Sequence, residues 1–190
     1  EDGRLATLAG MGAKKVENIL KSLQLQETAQ KSISIGKATS IVAEYIAYLE
    51  EMAGDKIEKI SSAGSVRRFK ETVHDIDILV ETDFGGDVIE IFTKFPSVTR
   101  IIGAGETKGS VLIDDRYQVD LRAVPTESYG AAQQYFTGSQ AHNVRLREMA
   151  KKQGLKINEY GIYRGEEKIG GEREDDIYNA LGLTWIEPEL

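Results

Sequence analysis

Cysteine is absent from the 190 residues, which excludes disulfides and thiolate metal centres and makes a reducing compartment, the cytoplasm, the simpler expectation. Histidine is nearly as scarce: His74 and His142 are the two present. No apolar run approaches the roughly 20 residues of a membrane-spanning helix, so no membrane partner is expected. The first residues, Glu1-Asp2-Gly3, lack the basic-then-apolar order of a secretion signal. They also lack an initiator Met, so the sequence reads as a fragment of a longer protein. Basic charge is in deficit as well: 24 Lys and Arg face 31 Asp and Glu, a net charge of −7. That total is awkward for a nucleic-acid binder, whose affinity comes mainly from phosphate contacts. Local clusters weigh more than the total here. Lys14/Lys15, Arg67/Arg68/Lys70 and Arg145/Arg147/Lys151/Lys152/Lys156 are the basic ones.

What is present is a globular composition, 41% hydrophobic and 29% charged with 19 Gly, in a chain long enough for one sizeable core or small subdomains sharing one. Residues 4–23 read as helix, Gly10-Met11-Gly12 turn, helix, with Val16, Ile19, Leu20 and Leu23 at helical spacing. A helix is predicted over 37–52, where Ile41, Val42, Tyr45, Ile46 and Leu49 form a stripe and Gly54 follows as a stop. Strands are predicted at about 57–63, 76–82, 98–102, 108–113 and 117–124, with a helix near 86–95. Helix resumes from Glu127, and Ser139 is the expected N-cap of one ending before Gly154. Short strands at 156–158, 162–164 and 167–169 and a helix at 175–181 complete the chain.

The chemistry concentrates in two of these strands. Side chains alternate along a strand, so Asp75 and Asp77 share one face while Ile76, Ile78 and Val80 take the other. Asp120 and Arg122 likewise lie opposite Val119 and Leu121. An Asp-x-Asp pair is common in solvated loops, but acids inside so apolar a run are costly. If the two strands are neighbours, three carboxylates converge and repel one another unless a cation joins them. Oxygen ligands in an incomplete cage suit Mg²⁺, or Mn²⁺ in its place, shared with substrate phosphates. Two such ions serve in-line displacement at phosphorus. Upstream, Ser61-Ser62-Ala63-Gly64-Ser65 ends a strand and opens a turn or helix. Gly64 permits close approach of a phosphate, Ser65 donates a hydroxyl, and Arg67 and Arg68 supply guanidinium forks. Carboxylates beside a phosphate turn point to nucleotidyl transfer.

Along nearly its whole length the chain resembles the family X DNA polymerases of the compact bacterial and archaeal type. The resemblance is carried by Gly64-Ser65-Val66-Arg67-Arg68, Asp75-Ile76-Asp77, Gly105-Glu106-Thr107-Lys108, Val119-Asp120-Leu121-Arg122 and Tyr135-Phe136-Thr137-Gly138-Ser139, followed by Asn143 and Arg147. It implies an α/β (α+β) fold: a nucleotidyltransferase palm sheet at 57–126, helical fingers with a helix-hairpin-helix at 1–56, and a small α/β thumb at 127–190. It implies that Asp75 and Asp77 bind both metals and Asp120 the catalytic one, with Arg122 orienting the acids. Gly64, Ser65 and Arg68 would hold the β- and γ-phosphates. Tyr135, Phe136 and Gly138 would flank the incoming sugar, Asn143 the base edge, and Arg147 the template. Lys108 looks like a DNA contact. Gly10, Gly12 and Lys14 would meet a DNA phosphate, with a monovalent cation at the hairpin.

The implied partners are a dNTP and a primer-template or gapped DNA, bound by a monomer, in repair. Departures from the family pattern are Phe69 after Arg68, Ser34 where an arginine is frequent, and His74 where glycine is frequent beside the first acid. His74 is either a triphosphate contact or an exposed bystander, and His142 either a base contact or a helix-surface residue. Neither the family's lyase domain nor its histidine-rich phosphoesterase domain is expected in this stretch. The rival expectations are template-independent nucleotidyl transfer and a non-catalytic DNA-end-binding module.

Overall fold

The structure is a computed structural model that describes residues 32–189. The hairpin expected at 4–23 lies outside them.

The first helix, α1 (Ile35–Ala53), forms where its apolar stripe demands it, and Ala38, Ile41, Val42, Tyr45 and Leu49 are buried. Its start is fixed by Ser34, whose hydroxyl accepts from the Lys37 amide at 3.4 Å. Ser34 thus serves as the helix cap. At the other end Gly54 opens a short 3₁₀ turn, Gly54–Lys56.

Five strands make the central sheet: β2 (Lys59–Ser62), β4 (Asp75–Glu81), β5 (Val98–Ala104), β6 (Lys108–Ile113) and β7 (Tyr117–Val124), in the order β2-β4-β7-β6-β5. Neighbours are antiparallel except β4 and β7, which run parallel. A parallel pair needs a long crossover, and the chain supplies one through α3 (Gly85–Thr93), β5 and β6. Between β2 and β4 lie one turn of helix, α2 (Gly64–Arg67), and β3 (Thr72–Val73), which pairs with β1 (Ile33–Ser34).

The sheet has two unlike faces. Ile76, Ile78 and Val80 of β4, with Val119, Leu121 and Ala123 of β7, form one core with α1 and α3. Tyr45 anchors it, stacked 3.9 Å from Phe95 and tilted 5.1 Å from Phe92 between ring centroids. Each large side chain buried this fully contributes about 1.5–3 kcal/mol. Helix α1 therefore shares its core with the sheet. The opposite face carries Asp75, Asp77 and Asp120 at one end, Arg122 level with Leu79 next, and Val124 at the other end.

Helix α4 (Tyr129–Thr137) covers that apolar end, where Tyr129 and Ala132 pack on Leu79 and Val124 and Phe136 lies against the cluster. Its other side enters a second core through Ala131. That core is completed by α5 (Gln140–Lys152), the sheet β8 (Leu155–Asn158), β9 (Gly161–Arg164) and β10 (Glu167–Gly170), and α6 (Glu174–Ala180). Gly130 sits so tightly on the approach to α6 that a Cβ there would lie 2.1 Å from the Arg173 carbonyl carbon. No helix among the described residues is long and apolar enough to cross a membrane.

Every element expected between residues 37 and 181 is present, with ends shifted by a few residues. The β1–β3 pairing was not expected, and α2 takes the helical alternative of the turn or helix expected after Ala63. Two-residue strands and one turn of helix are too short to express a hydrophobic period.

Candidate active site

The parallel pairing of β4 and β7 sets Asp77 directly beside Asp120, and Asp75 beside Gln118. Asp75 is exposed and Asp77 half-buried, and the Asp120 side chain keeps 14% of its exposure. Burial pushes the Asp77 carboxyl up to about 7, and the negative charges of Asp75 and Asp120 push the same way against the opposing pull of Lys108 and Arg68. Asp120 is held at both oxygens: Gln118 Nε2 donates to Oδ1 at 2.9 Å, and Lys108 Nζ pairs with Oδ2 at 3.0 Å. Among the described residues, no group of three or more acids or histidines is arranged to hold a metal ion by itself. The three carboxylates share one face of the sheet in an open arrangement, and their all-oxygen donor set and mutual repulsion fit hard divalent cations.

The turn beside them is built around Asp77. Strand β2 ends at Ser62, and the Ala63 amide donates to the Asp77 carbonyl at 2.8 Å. Gly64 then takes φ +56, and a Cβ there would lie 2.1 Å from Asp77 Oδ2. Only glycine leaves that carboxylate its place, a reason additional to the phosphate approach read from the sequence. The two arginines that follow part ways. Arg68 donates through Nη1 to the Thr137 carbonyl, while its Nε is buried without a partner. Arg67 forks onto Glu174, with bonds of 2.8 and 2.7 Å, and reaches Thr137 Oγ1 at 2.6 Å. The expectation that both guanidinium groups face phosphate is therefore corrected: Arg67 is already paired inside the protein.

The facing wall comes from α4 and α5. Tyr135 and Phe136 meet edge to face, 5.1 Å apart at 79°. The Arg122 guanidinium lies 4.9 Å from the Phe136 ring centre, so the ion pair to Asp120 is made by Lys108 and not by Arg122. Gly138 turns the chain at φ +71, and Ser139 caps α5 by accepting from the His142 amide at 3.3 Å. Asn143 Nδ2 donates to the Tyr135 carbonyl and its Oδ1 accepts from Gln134 Nε2, both at 2.7 Å. Arg147, one turn on, is exposed on the same helix face.

These residues border one open cavity of about 630 Å³. Gly64, Ser65, Arg68, Asp75 and Asp77 line one side, and Tyr135, Phe136, Gly138, Asn143 and Arg147 the other. Asp120, Arg122 and Lys108 stand next to it on the sheet. His74 is exposed beside Asp75. His142 faces away, its Nε2 3.0 Å from the Tyr178 hydroxyl, with burial lowering its pKa. Gly10, Gly12 and Lys14 lie outside the described residues. Two participants went unread in the sequence. Gln118 could have been found as the same-face neighbour two residues before Asp120. Glu174 could not, since it meets Arg67 across a separation of 107 residues.

Residues 132–190 match the family described as DNA polymerase beta thumb. The whole chain is 37% identical over 196 residues to "DNA polymerase/3'-5' exonuclease PolX" of Bacillus subtilis and spans 34% of that protein's length. It is 28% identical over 142 residues to "Repair DNA polymerase X" of African swine fever virus, an alignment covering 70% of this chain and 80% of the viral protein. DNA polymerase lambda of Rattus norvegicus is 26% identical over 165 residues, 67% of this chain and 27% of that protein.

Proposed function

The chain belongs to the family X DNA polymerases, and from that premise we propose that it is a DNA-directed DNA polymerase that fills short gaps during repair. In the reaction, a primer 3′-hydroxyl attacks the α-phosphate of a dNTP. The new O–Pα bond forms as the bond from Pα to the bridging oxygen breaks, and pyrophosphate leaves. The observation that carries this reading is the meeting of Asp75 and Asp77, with Asp120 alongside, and the Gly64–Ser65 turn at one cavity.

The positions support a role for each residue. Asp75 and Asp77 would hold two divalent ions, Mg²⁺ or Mn²⁺, with Asp120 a further ligand of the catalytic one. When bound, such ions lower the pKa of the attacking hydroxyl and neutralise charge on the phosphates. Ser65 and Arg68 receive the β- and γ-phosphates, and the unpartnered Arg68 Nε is a donor in want of an acceptor. Tyr135 and Phe136 form the floor for the sugar. Asn143, tied to the Tyr135 carbonyl, presents α5 to the base, and Arg147 extends that face toward the template. Catalysis is positioning plus electrostatics. The frame is fingers at 1–56, palm at 57–126 and thumb at 127–190, in a monomer acting in the cytoplasm. Lys108, and at the hairpin Gly10, Gly12 and Lys14 with a monovalent cation, would take DNA phosphates.

Primer extension with Mg²⁺ on gapped and recessed duplexes tests this. The templated dNTP should be added, Asp120→Ala should abolish addition, and DNA affinity should fall steeply with salt. Equal extension of a single-stranded primer would point to template-independent transfer. DNA binding without any addition would point to a non-catalytic module.

A further inference from the structure

Two walls of the nucleotide cavity belong to two different hydrophobic cores. The phosphate turn, with Ser65 and Arg68, stands on the core of residues 33–123. Gly138 and Asn143 stand on the other side, where α5 packs into the core of residues 131–181. A nucleotide held as proposed spans both walls, so its binding depends on their separation.

Two side chains of the turn cross to the other wall: Arg68 reaches the Thr137 carbonyl through Nη1, and Arg67 reaches further, to the second core. Arg67 leaves the α2 turn beside Ser65 and Arg68, and its guanidinium makes a bidentate ion pair with Glu174 at the start of α6. The same Nη1 reaches the hydroxyl of Thr137, the residue before Gly138. The pair is largely shielded, with side-chain exposures of 15% and 9%. Glu174 is itself fixed. The Gly130 amide donates to the Glu172 carbonyl at 3.2 Å, and the Gly171 and Arg173 amides both donate to Asp176 Oδ2 at 3.0 Å. Breaking one partner of such a pair leaves the other charge buried and uncompensated. Lysine cannot replace the fork, because it offers a point charge where two parallel bonds are needed.

We propose that Arg67 is a positioning residue that sets the gap between the phosphate turn and the Gly138 wall, and that it tunes binding of the whole nucleotide without touching it. This rests on the polymerase reading above. The two adjacent arginines then differ in role: both reach Thr137, but Arg68 lines the cavity while Arg67 is spent on the ion pair with Glu174.

The test compares two ligands in the full 190-residue chain. Tripolyphosphate with Mg²⁺ engages the phosphate turn alone, whereas a dNTP with Mg²⁺ needs both walls. Arg67→Lys should weaken dNTP binding about tenfold and raise the dNTP KM in step, the scale of a lost charged hydrogen bond. Tripolyphosphate affinity should change by less than about twofold, since its ligands are intact. Glu174→Gln, which breaks the pair from the wall that holds no phosphate ligand, should give the same split and is the milder change for folding. The double variant should be no worse than either single one, as expected for two halves of one contact. Equal loss of both ligands would overturn the proposal, making Arg67 a phosphate ligand or a general support of the fold. Unchanged dNTP binding in both variants would overturn it too. A wild-type chain that binds neither ligand would instead overturn the polymerase reading, and this inference with it.

Discussion

Asp77 and Asp120 are direct register partners on the parallel strands β4 and β7. The pairing couples two segments far apart in sequence into one electrostatic unit; burial first, and then the charges of Asp75 and Asp120, keep the proton on the Asp77 carboxyl to about 7. Such an arrangement lowers the stability of the empty protein, and natural proteins tolerate that where function requires it.

Removing one charge from this unit separates function from stability. Asp77→Asn should cut primer extension by about 10²–10³-fold or more, the scale of losing a preorganised electrostatic group. The metal-free variant should melt no lower than wild type, because the repulsion from Asp75 and Asp120 is relieved. Paired extension assays and thermal melts check this. A large drop in melting temperature would show that the carboxylate supports the fold.

The same shift fixes a pH dependence. In the unfolded chain an aspartate releases its proton near about 3.9. Folded Asp77 retains it to about 7. Through that window the folded state binds the extra proton, so this group's contribution to stability is lost as pH rises. Melting temperature of the metal-free protein, compared with Asp77→Asn, should therefore fall from about pH 4 to about pH 7 and then level off. Saturating Mg²⁺ should flatten the difference. A difference rising with pH would contradict the assignment.

Gly64 offers a steric test of the turn. A methyl group at this position meets Asp77 Oδ2 at 2.1 Å, and φ +56 strains any side chain. Gly64→Ala should destabilise by about 1–3 kcal/mol. It should also cost extension activity beyond that, since the displaced group is the carboxylate itself. Combining it with Asp77→Ala should remove the part of the stability cost that comes from the clash, leave the backbone strain of φ +56, and leave activity lost. Chemical denaturation of the three variants reads this directly.

Much of this site was legible because its signals are local and periodic. Asp75 and Asp77 alternate with Ile76 and Ile78, and that period of two already sorted acids from core. Ser139 announced α5 by its place before an uninterrupted helical stretch, and Ile41, Val42, Tyr45 and Leu49 announced α1. What stayed illegible depends on partners remote in sequence. Two adjacent arginines look alike in a sequence, and only the arrival of Glu174 from 107 residues away assigns Arg67 inward. Lys108 carries the charge expected of a DNA contact, yet its position on β6, across from β7, brings it to Asp120.

That placement of Lys108 yields the last prediction. Its ammonium lies 3.0 Å from Asp120 Oδ2, an oxygen that a bound cation would need. An ammonium and a divalent ion at one oxygen repel each other and draw on the same charge, so Lys108 and a divalent ion compete for Asp120. Lys108→Met keeps the length of the side chain and removes the charge. A second effect runs the other way: Lys108 helps Asp77 ionise, and without it a proton contends with the metal. The choice of pH decides between them. At about pH 8, above the value of about 7 at which Asp77 titrates, the proton is already gone and the direct competition dominates. There the variant should bind Mn²⁺ about three- to tenfold more tightly, measured by titration without DNA, the range of one partly screened charge. At about pH 6 the gain should shrink, because the Asp77 proton again contends with the metal. Unchanged or weaker binding on the alkaline side would mean that the metal does not need the oxygen that Lys108 holds.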